Sequence, residues 1–443
     1  MLEKVFHLTE KHTTVKTELI AGLTTFLAMA YILGVNPAIL GDAGMNVPSV
    51  FLATALSSAI ASILMGLLAN YPVALSAGMG VNALFAYTIV LQMGFSVPAA
   101  LAAVFISGLV FVLISVTGIR KAIIDAIPVQ LKLAIGAGIG FFIAFVGLKN
   151  AGIIVGSEAT LVTLGNLSSP SVLLAIFGIL VTIACVVKNV PAAVFVGMVV
   201  TAVVGIICGF CGVEGMPALP NGLFTTSFEM DYVGACFAGF SDLFSRPIDA
   251  FVAIFSFLFV DFFDTAGTLV AIGNRIGLVN KKGELENAEQ ALLADSVGTV
   301  VGAVLGTSTV TSFVESSSGV GVGGRTGLTA CTTGVLFALS VFISPLILST
   351  VTMSVTAPAL VVVGVLMAQQ MRGIEWDNMV YAISAFIIII SMILTYSISN
   401  GIAIGFIAYT VAMIAAGKTK EIHPTVWVLL VIFVFYFSSS YIL

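Results

Sequence analysis

The chain has 443 residues, of which 59% are hydrophobic and only 8% charged, whereas charged residues make up about 25% of ordinary soluble domains. A mean hydropathy of +1.18, with apolar segments along the whole length, predicts an all-α polytopic membrane protein. The net charge of −5 comes without a basic block, which argues against a nucleic-acid partner and leaves lipid as the surroundings.

Fourteen apolar segments follow one another along the chain, some of them short for a span of about 20 residues. They are 18–40, 49–69, 73–92, 98–117, 129–149, 171–187, 190–211, 250–273, 293–306, 308–324, 327–348, 355–371, 378–397 and 400–417. The polar stretch 212–248 divides them into seven and seven. A further apolar stretch, 424–442, follows, and the sequence leaves open whether it is an interfacial helix or another crossing.

The two halves resemble each other in order. SGLVF at 107–111 matches TGVLF at 333–337, and Pro128 opens the fifth segment as Pro358 opens the twelfth. Because seven is odd, the second copy of such a repeat must be inverted in the membrane. The pattern therefore predicts 14 transmembrane segments arranged as two inverted seven-helix repeats.

The lysines and arginines agree with that topology. If the N-terminus lies inside, only Lys149 and Arg246 of the 16 basic residues fall on the outer side. This positive-inside bias predicts a cytoplasmic N-terminus and places 212–248 outside.

The eighth segment carries two acids in the middle of an apolar run, FSFLFVDFFDTAGTLVAIGN at 255–274. Asp261 and Asp264 are three residues apart and share a helix face. A carboxylate at mid-bilayer depth is costly and usually faces a protein interior or a wet cavity, where it takes part in transport. All three histidines lie outside the apolar segments, so any buried proton chemistry falls to carboxylates.

Segments three and ten begin poorly as helices. Ser76, Gly78 and Gly80 make a poor helix start, and a regular helix is expected only from about Val81. The small and β-branched residues before Phe313 favour an extended strand, with a helix starting near Glu315. Such backbone is tolerated at membrane depth only inside protein or beside water. Glu315 is then either an ordinary acid at a helix start or a ligand contact that holds a proton, and function is the favoured interpretation. Asn82 is either a ligand contact or an amide that bridges helices.

Four stretches carry a resemblance to a known family: GLTTFLAMAYILGVNPAIL (22–40), SAGMGVNALFAY (76–87), VDFFDTAGTL (260–269) and ALLADSVGTVVGAVLGTSTVTSFVESSSGVGVGGRTGLTA (291–330). The chain closely resembles the azaguanine-type adenine, guanine and hypoxanthine permeases of the nucleobase–cation symporter superfamily, over nearly its whole length. The uracil and ascorbate branches usually carry a glutamate in the eighth segment, where this chain has Asp261. They also usually carry N-x-G after the acid of the tenth segment, where this chain has Ser316-Ser317-Ser318-Gly319. This departure favours the azaguanine-type branch.

The resemblance implies a core and a gate domain in the uracil-permease-like fold. The implied divisions are 1–17, a cytoplasmic N-terminus; 18–117 and 250–348, the two parts of the core; 129–211 and 355–417, the two parts of the gate; 212–248, an extracellular loop; and 418–443, a C-terminal hydrophobic tail. It also implies a substrate site in the core, with proton coupling by Glu315 and Asp261. The implied substrate-binding residues are Asp261, Glu315, Asn82, Asp264, Thr265, Gly80, Phe26 and Ser316.

The resemblance, together with the buried acids, implies a proton-coupled purine nucleobase importer of the cell membrane, working by elevator-type alternating access. We expect no cofactor, no metal and no catalytic residue, and a homodimer is one arrangement that the sequence leaves open. The alternatives are an anion transporter of the related sulfate-permease fold, although two acids would repel an anion, and a channel or receptor. A membrane enzyme is disfavoured because no nucleophile–base pair stands out.

Overall fold

Long apolar runs form the helices, as the sequence predicts. The computed structural model describes residues 2–117, 128–190, 192–219, 222–276 and 286–442. The α-helices are α1 (Leu2–Phe6), α2 (Val15–Met29), α3 (Ile32–Asp42), α4 (Val47–Leu68), α5 (Met79–Ala83), α6 (Val97–Thr117), α7 (Val129–Asn150), α8 (Pro170–Val187), α9 (Ala193–Phe210), α10 (Ala235–Ala238), α11 (Phe240–Ser245), α12 (Pro247–Ile276), α13 (Ala288–Leu305), α14 (Ser316–Gly321), α15 (Gly327–Ser340), α16 (Ser344–Thr350), α17 (Met353–Ala368), α18 (Met379–Leu394), α19 (Ile398–Ala415) and α20 (Pro424–Ile442). The strands are β1 (Leu75–Ala77), β2 (Ile154–Ser157), β3 (Leu161–Leu164) and β4 (Val310–Ser312).

The chain is a multi-pass membrane protein. Within the described ranges, ten helices are long and apolar enough to cross a membrane. The arrangement of fourteen spans in two inverted repeats stays a prediction. The open stretch 424–442 forms α20, which packs against α19 and α12.

The predicted extended stretches of segments three and ten are confirmed. Strands β1 and β4 pair antiparallel, with Ser76 opposite Thr311. A two-stranded ribbon leaves two edges that need hydrogen-bond partners once water is excluded. On one edge, the Ser62 hydroxyl of α4 accepts from the Leu75 N–H at 2.9 Å and lies 3.1 Å from the Leu75 carbonyl. On the other edge, the Thr265 hydroxyl of α12 accepts from the Ser312 N–H at 3.3 Å.

The helix that follows β1 differs from the expectation of a regular helix from about Val81. Helix α5 already begins at Met79, and the chain continues from Leu84 to Gln92 as a π-helix. Its wider turns end with the Met93 N–H donating to the Thr88 carbonyl at 2.8 Å, an i to i−5 bond. A uniformly apolar run carries no pattern that distinguishes π winding from α winding, so the sequence could not predict it.

The polar stretch 212–248 is more structured than a loop. It contains the short helices α10 and α11, which pack against α6. Asp242 accepts from the Ser96 N–H at 3.1 Å and from the Ser96 hydroxyl at 2.5 Å, which ties α11 to the start of α6. Ser96 lowers the pKa of the Asp242 carboxyl below its usual value by hydrogen bonding to the charged form.

The long helices pack in two groups. Group A comprises α2 to α6, including the π-helix Leu84–Gln92, with α12 to α15. Group B comprises α7 to α9 with α17 to α19, and most helix–helix contacts fall within a group. Contacts between the groups are sparser and run chiefly between α2 and α9, between α5 and α7, between α3 and α17, and through α19. The β1–β4 ribbon lies inside group A, so group A positions the candidate site.

Candidate functional site

The site is built around the β1–β4 ribbon. All six strand residues are buried, and each strand leads into a short helix: β1 into α5, and β4 into α14. The Ser316 hydroxyl accepts from the Ala74 N–H at 3.0 Å, so the start of α14 is fastened to the chain just before β1. The two predicted half-helices are therefore held as one unit.

Asp261 lies on α12 with only 1% of its surface exposed. The Thr299 hydroxyl of α13 lies 2.9 Å from Asp261 Oδ2 and 3.0 Å from the Val310 carbonyl of β4. The Thr299 hydroxyl thus lies between the carboxylate and the strand, and can donate its proton to either. Within the described ranges, Asp261 Oδ1 is buried without a hydrogen-bond partner.

A second fully buried acid, Asp295 on α13, was missed by the sequence interpretation, which counted only Asp261, Asp264 and Glu315 at this depth. Asp295 Oδ1 accepts from the hydroxyls of Thr265 at 2.7 Å and Ser312 at 3.0 Å. Its Oδ2 atom has no partner among the residues described. The signal was present in ALLADSVGTVVG at 291–302, where an acid interrupts an apolar run. It was overlooked because the acid lies near the polar end of the segment.

Glu315 lies three residues after the end of β4 and is partly buried, at the N-cap of α14. Its side chain makes no capping hydrogen bond to the helix. Instead, Glu315 Oε1 accepts from the Tyr31 hydroxyl at 2.6 Å. Tyr31 was not predicted as a site residue, because a tyrosine between apolar residues is typical of core packing.

Asn82 is fully buried on α5, the helix that follows β1. Its Oδ1 accepts from the Ser308 hydroxyl, next to β4. Asn82 Nδ2 has no partner in the described part of the chain. The amide therefore bridges the two strand–helix elements and also keeps a donor unused, while a ligand contact by Asn82 stays a prediction.

The other predicted site residues divide into those near the ribbon and those that support it. Asp264 is partly exposed and close enough to Glu315 and Asp261 to repel their charges. Thr265 donates to Asp295, and Ser316 fastens α14, so both hydroxyls are engaged in the scaffold. Phe26 packs edge-on against Phe337 at a centroid distance of 5.2 Å.

Gly80 marks a close approach between the two helix groups. A Cβ atom built there would lie 2.6 Å from Ile139 Cγ2 of α7. A larger residue would collide with α7 at this point, so Gly80 contributes by allowing close helix packing rather than by a polar contact.

A surface cavity of ≈ 620 Å³ lies elsewhere, in group B, and is lined partly by Asn150, Asn166, Ser171, Thr352 and Ser354. Its described lining residues include no acid. The ribbon, in contrast, gathers carboxylates and an amide with unused hydrogen-bonding atoms. Buried polar atoms without partners are costly, and they can be satisfied by a ligand that carries both donors and acceptors.

The fold and this site define a polytopic membrane permease, with irregular backbone and buried acids where half-helices meet. A family model described as the Permease family (Xan_ur_permease) matches residues 16–404. The chain belongs to this family, which confirms the resemblance at the family level and makes the protein a permease rather than an enzyme.

Full-length relatives support the same assignment. The chain is 51% identical to the guanine/hypoxanthine permease PbuG of Bacillus subtilis, covering 98% of this chain and 99% of that one. It is 43% identical to the adenine permease AdeP of Escherichia coli, covering 98% and 95%.

Solved structures share the fold at low sequence identity. The transmembrane domain of the cyanobacterial bicarbonate transporter BicA superposes with a TM-score of 0.63 at 16% identity, covering 87% of this chain and 96% of that one. The murine Slc26a9 anion transporter, in its inward-facing state, superposes with a TM-score of 0.60 at 11% identity, covering 90% and 68%.

Proposed function

We propose that the protein imports purine nucleobases, namely adenine, guanine or hypoxanthine, by proton symport. The observation that carries the proposal is the set of unused polar atoms beside the β1–β4 ribbon: an acceptor on Asp261 and a donor on Asn82. A purine edge presents N–H donors together with ring-nitrogen or carbonyl acceptors, so it matches both. The names of the relatives support the same substrate class.

The proton would be carried by a carboxylate at the site, with Glu315 and Asp261 as carriers. A carboxylate that alternates between its charged and neutral forms can couple a proton to a neutral ligand. Coupling requires that protonation and purine binding shift the same conformational equilibrium. Asp295 and Asp264 belong to the same cluster of acids, and together they make simultaneous ionisation of all four costly.

Transport would use elevator-type alternating access in the cell membrane, with the N-terminus in the cytoplasm. The core domain, 18–117 with 250–348, would then carry the substrate past the gate domain, 129–211 with 355–417. The predominance of contacts within groups A and B supports this division. An anion substrate, like that of the Slc26a9 anion transporter, is disfavoured because the acids around the ribbon would repel it.

Uptake into proteoliposomes tests the proposal. Radiolabelled adenine, guanine and hypoxanthine should each be offered with and without an inward proton gradient, with bicarbonate and sulfate as anion controls. At least one purine should accumulate saturably, and only with the gradient. Purine uptake that is equal with and without the proton gradient would refute proton coupling. Uptake of bicarbonate or sulfate without uptake of any purine would refute the proposed substrate class.

The Glu315→Gln variant separates coupling from binding, because glutamine keeps the shape but fixes the charge at zero. It should lose gradient-driven accumulation more completely than binding or purine exchange. An accumulation ratio and purine-induced proton uptake equal to those of the wild type would remove Glu315 from the coupling step.

A further inference from the structure

We propose that Tyr31 is a positioning residue for the substrate: its hydroxyl holds one oxygen of Glu315, so that the other oxygen is aimed at a purine N–H. This inference rests on the proposed function, in which Glu315 contacts the substrate. The contact that motivates it is the hydrogen bond from the Tyr31 hydroxyl to Glu315 Oε1, 2.6 Å long. Hydrogen bonds to ionised acceptors at such distances are among the strong ones in proteins.

The position of Tyr31 in the chain is suited to this role. Tyr31 occupies the short interruption between α2, which ends at Met29, and α3, which begins at Ile32. Its side chain is 1% exposed, so the ring is fixed by packing, and its only flexible polar element is the rotating hydroxyl. A buried hydroxyl without a partner would be costly, which favours a permanent bond to Glu315.

The helices on both sides of the bond are locked together. A Cβ atom built at Gly319 of α14 would lie 2.1 Å from Thr25 Oγ1 and 2.6 Å from the Ala21 carbonyl, both of α2. Helix α2 therefore lies directly against the half-helix that carries Glu315 at its start. Since both helices belong to group A, relative motion of groups A and B leaves the Tyr31–Glu315 distance unchanged.

Among the residues described, no other group of the site holds Glu315 as Tyr31 does. The Glu315 side chain makes no capping bond to α14, and the nearby Asp264 carboxylate repels it. Without the tyrosine hydroxyl, Glu315 would be free to rotate among several rotamers. Binding a purine would then cost the entropy of fixing a glutamate side chain.

A double-mutant cycle tests the inference with Tyr31→Phe, Glu315→Gln and the double variant, measuring equilibrium binding of radiolabelled hypoxanthine to purified protein. Tyr31→Phe keeps the ring and should weaken binding about tenfold, the size expected for a hydrogen bond to a charged group. In the Glu315→Gln background the same change should cost clearly less, because the neutral amide oxygen accepts only a weaker hydrogen bond from Tyr31 than the carboxylate does. Tyr409→Phe, another buried tyrosine, lies in group B on α19 and serves as a matched control with wild-type affinity.

A second measurement uses hypoxanthines that are each methylated at one ring nitrogen. If Tyr31 were purely structural, Tyr31→Phe would change the affinity for all of these analogues alike. The analogue that has lost the N–H facing Glu315 should bind weakly to the wild type and be insensitive to Tyr31→Phe. The positioning role would be overturned if Tyr31→Phe weakened the binding of every analogue equally. It would also be overturned if the losses of binding free energy from Tyr31→Phe and Glu315→Gln simply added in the double variant. Loss of binding in Glu315→Gln with none in Tyr31→Phe would refute this inference alone, whereas wild-type binding by Glu315→Gln would refute the assignment of Glu315 as a substrate contact.

Discussion

The Thr299 hydroxyl lies 2.9 Å from the Asp261 carboxylate and links this buried acid of α12 to the helix that follows it. The same hydroxyl lies 3.0 Å from the carbonyl of Val310 in β4. Asp261 is thus held against the ribbon through Oδ2, while Oδ1 stays without a partner in the part of the chain described. A carboxylate that is held in place through one oxygen, with its other oxygen free of hydrogen bonds, can bind a ligand or take up a proton at that second oxygen.

Asp261→Asn is expected to abolish purine transport while the protein still folds and reaches the membrane. An asparagine oxygen can still accept from Thr299, so the scaffold bond survives, but the residue can no longer ionise. Uptake per molecule of purified protein measures the loss. Asp249→Asn is the matched control, because Asp249 lies in the first turn of the same helix beside Arg246, at 3.6 Å, and its variant should transport normally. Wild-type uptake by Asp261→Asn would exclude an essential acid at this position.

Asp295→Asn should fold and bind purine but lose much of its proton-driven accumulation. Asparagine Oδ1 can still accept from Thr265 and Ser312, so the contacts that organise β4 persist. The change removes one of the four acids among which a proton can be shared. The ratio of accumulation to exchange, measured in the same vesicles, reports the effect. An unchanged ratio would show that Asp295 is structural.

How far the sequence predicted this site can be judged from individual residues. Asp261 and Glu315 stood out because an acid in an apolar run has few explanations. Extended backbone was predicted at β1 from residues that start a helix poorly, and at β4 from small and β-branched residues. Tyr31 and Thr299 could not be found in this way. A buried tyrosine or threonine is common in any helix bundle, and only the fold reveals which acid each one contacts. The π-helix at Leu84–Gln92 was equally hidden.

Gly327→Ala should destabilise the protein through helix packing. A Cβ atom there would lie 1.9 Å from the Gly66 carbonyl oxygen, with other backbone atoms of Gly66 within 2.7 Å. Backbone cannot rotate away, so α4 and α15 must separate, at a cost of about 1–3 kcal/mol or more. Thermal stability in detergent, followed by size-exclusion chromatography after heating, should fall. Gly156→Ala is the control, since nothing lies within 4 Å of a Cβ atom there, and its melting temperature should not change.

A polar cluster joins group A to group B, away from the acids of the ribbon; we define it as Asp42, Tyr87 and Asn150. The Tyr87 hydroxyl donates to Asp42 Oδ2 at 2.6 Å within group A. From group B, the Asn150 amide donates to the same Asp42 oxygen at 3.1 Å and to the Tyr87 hydroxyl at 3.0 Å. Nearby, the Gln92 amide of group A donates to the Thr395 carbonyl of group B at 3.3 Å. In the proposed topology this cluster lies on the outer side.

Asn150→Ala should shift the protein toward conformations in which the outer ends of the two groups are apart. The change removes both hydrogen bonds that cross from Asn150 but leaves the Tyr87–Asp42 bond intact, so group A keeps its structure. Spin labels at the exposed positions Leu91 and Leu394, one in each group, should give a distance distribution with a larger long-distance component. Asn166→Ala is the control, because among the described residues the Asn166 side chain bonds only locally, to the Ser168 N–H at 3.0 Å. An elevator cycle requires these crossing bonds to break and re-form, so their loss should also change the rate of exchange. A distance distribution and exchange rate identical to those of the wild type would show that the cluster does not hold the outer ends together.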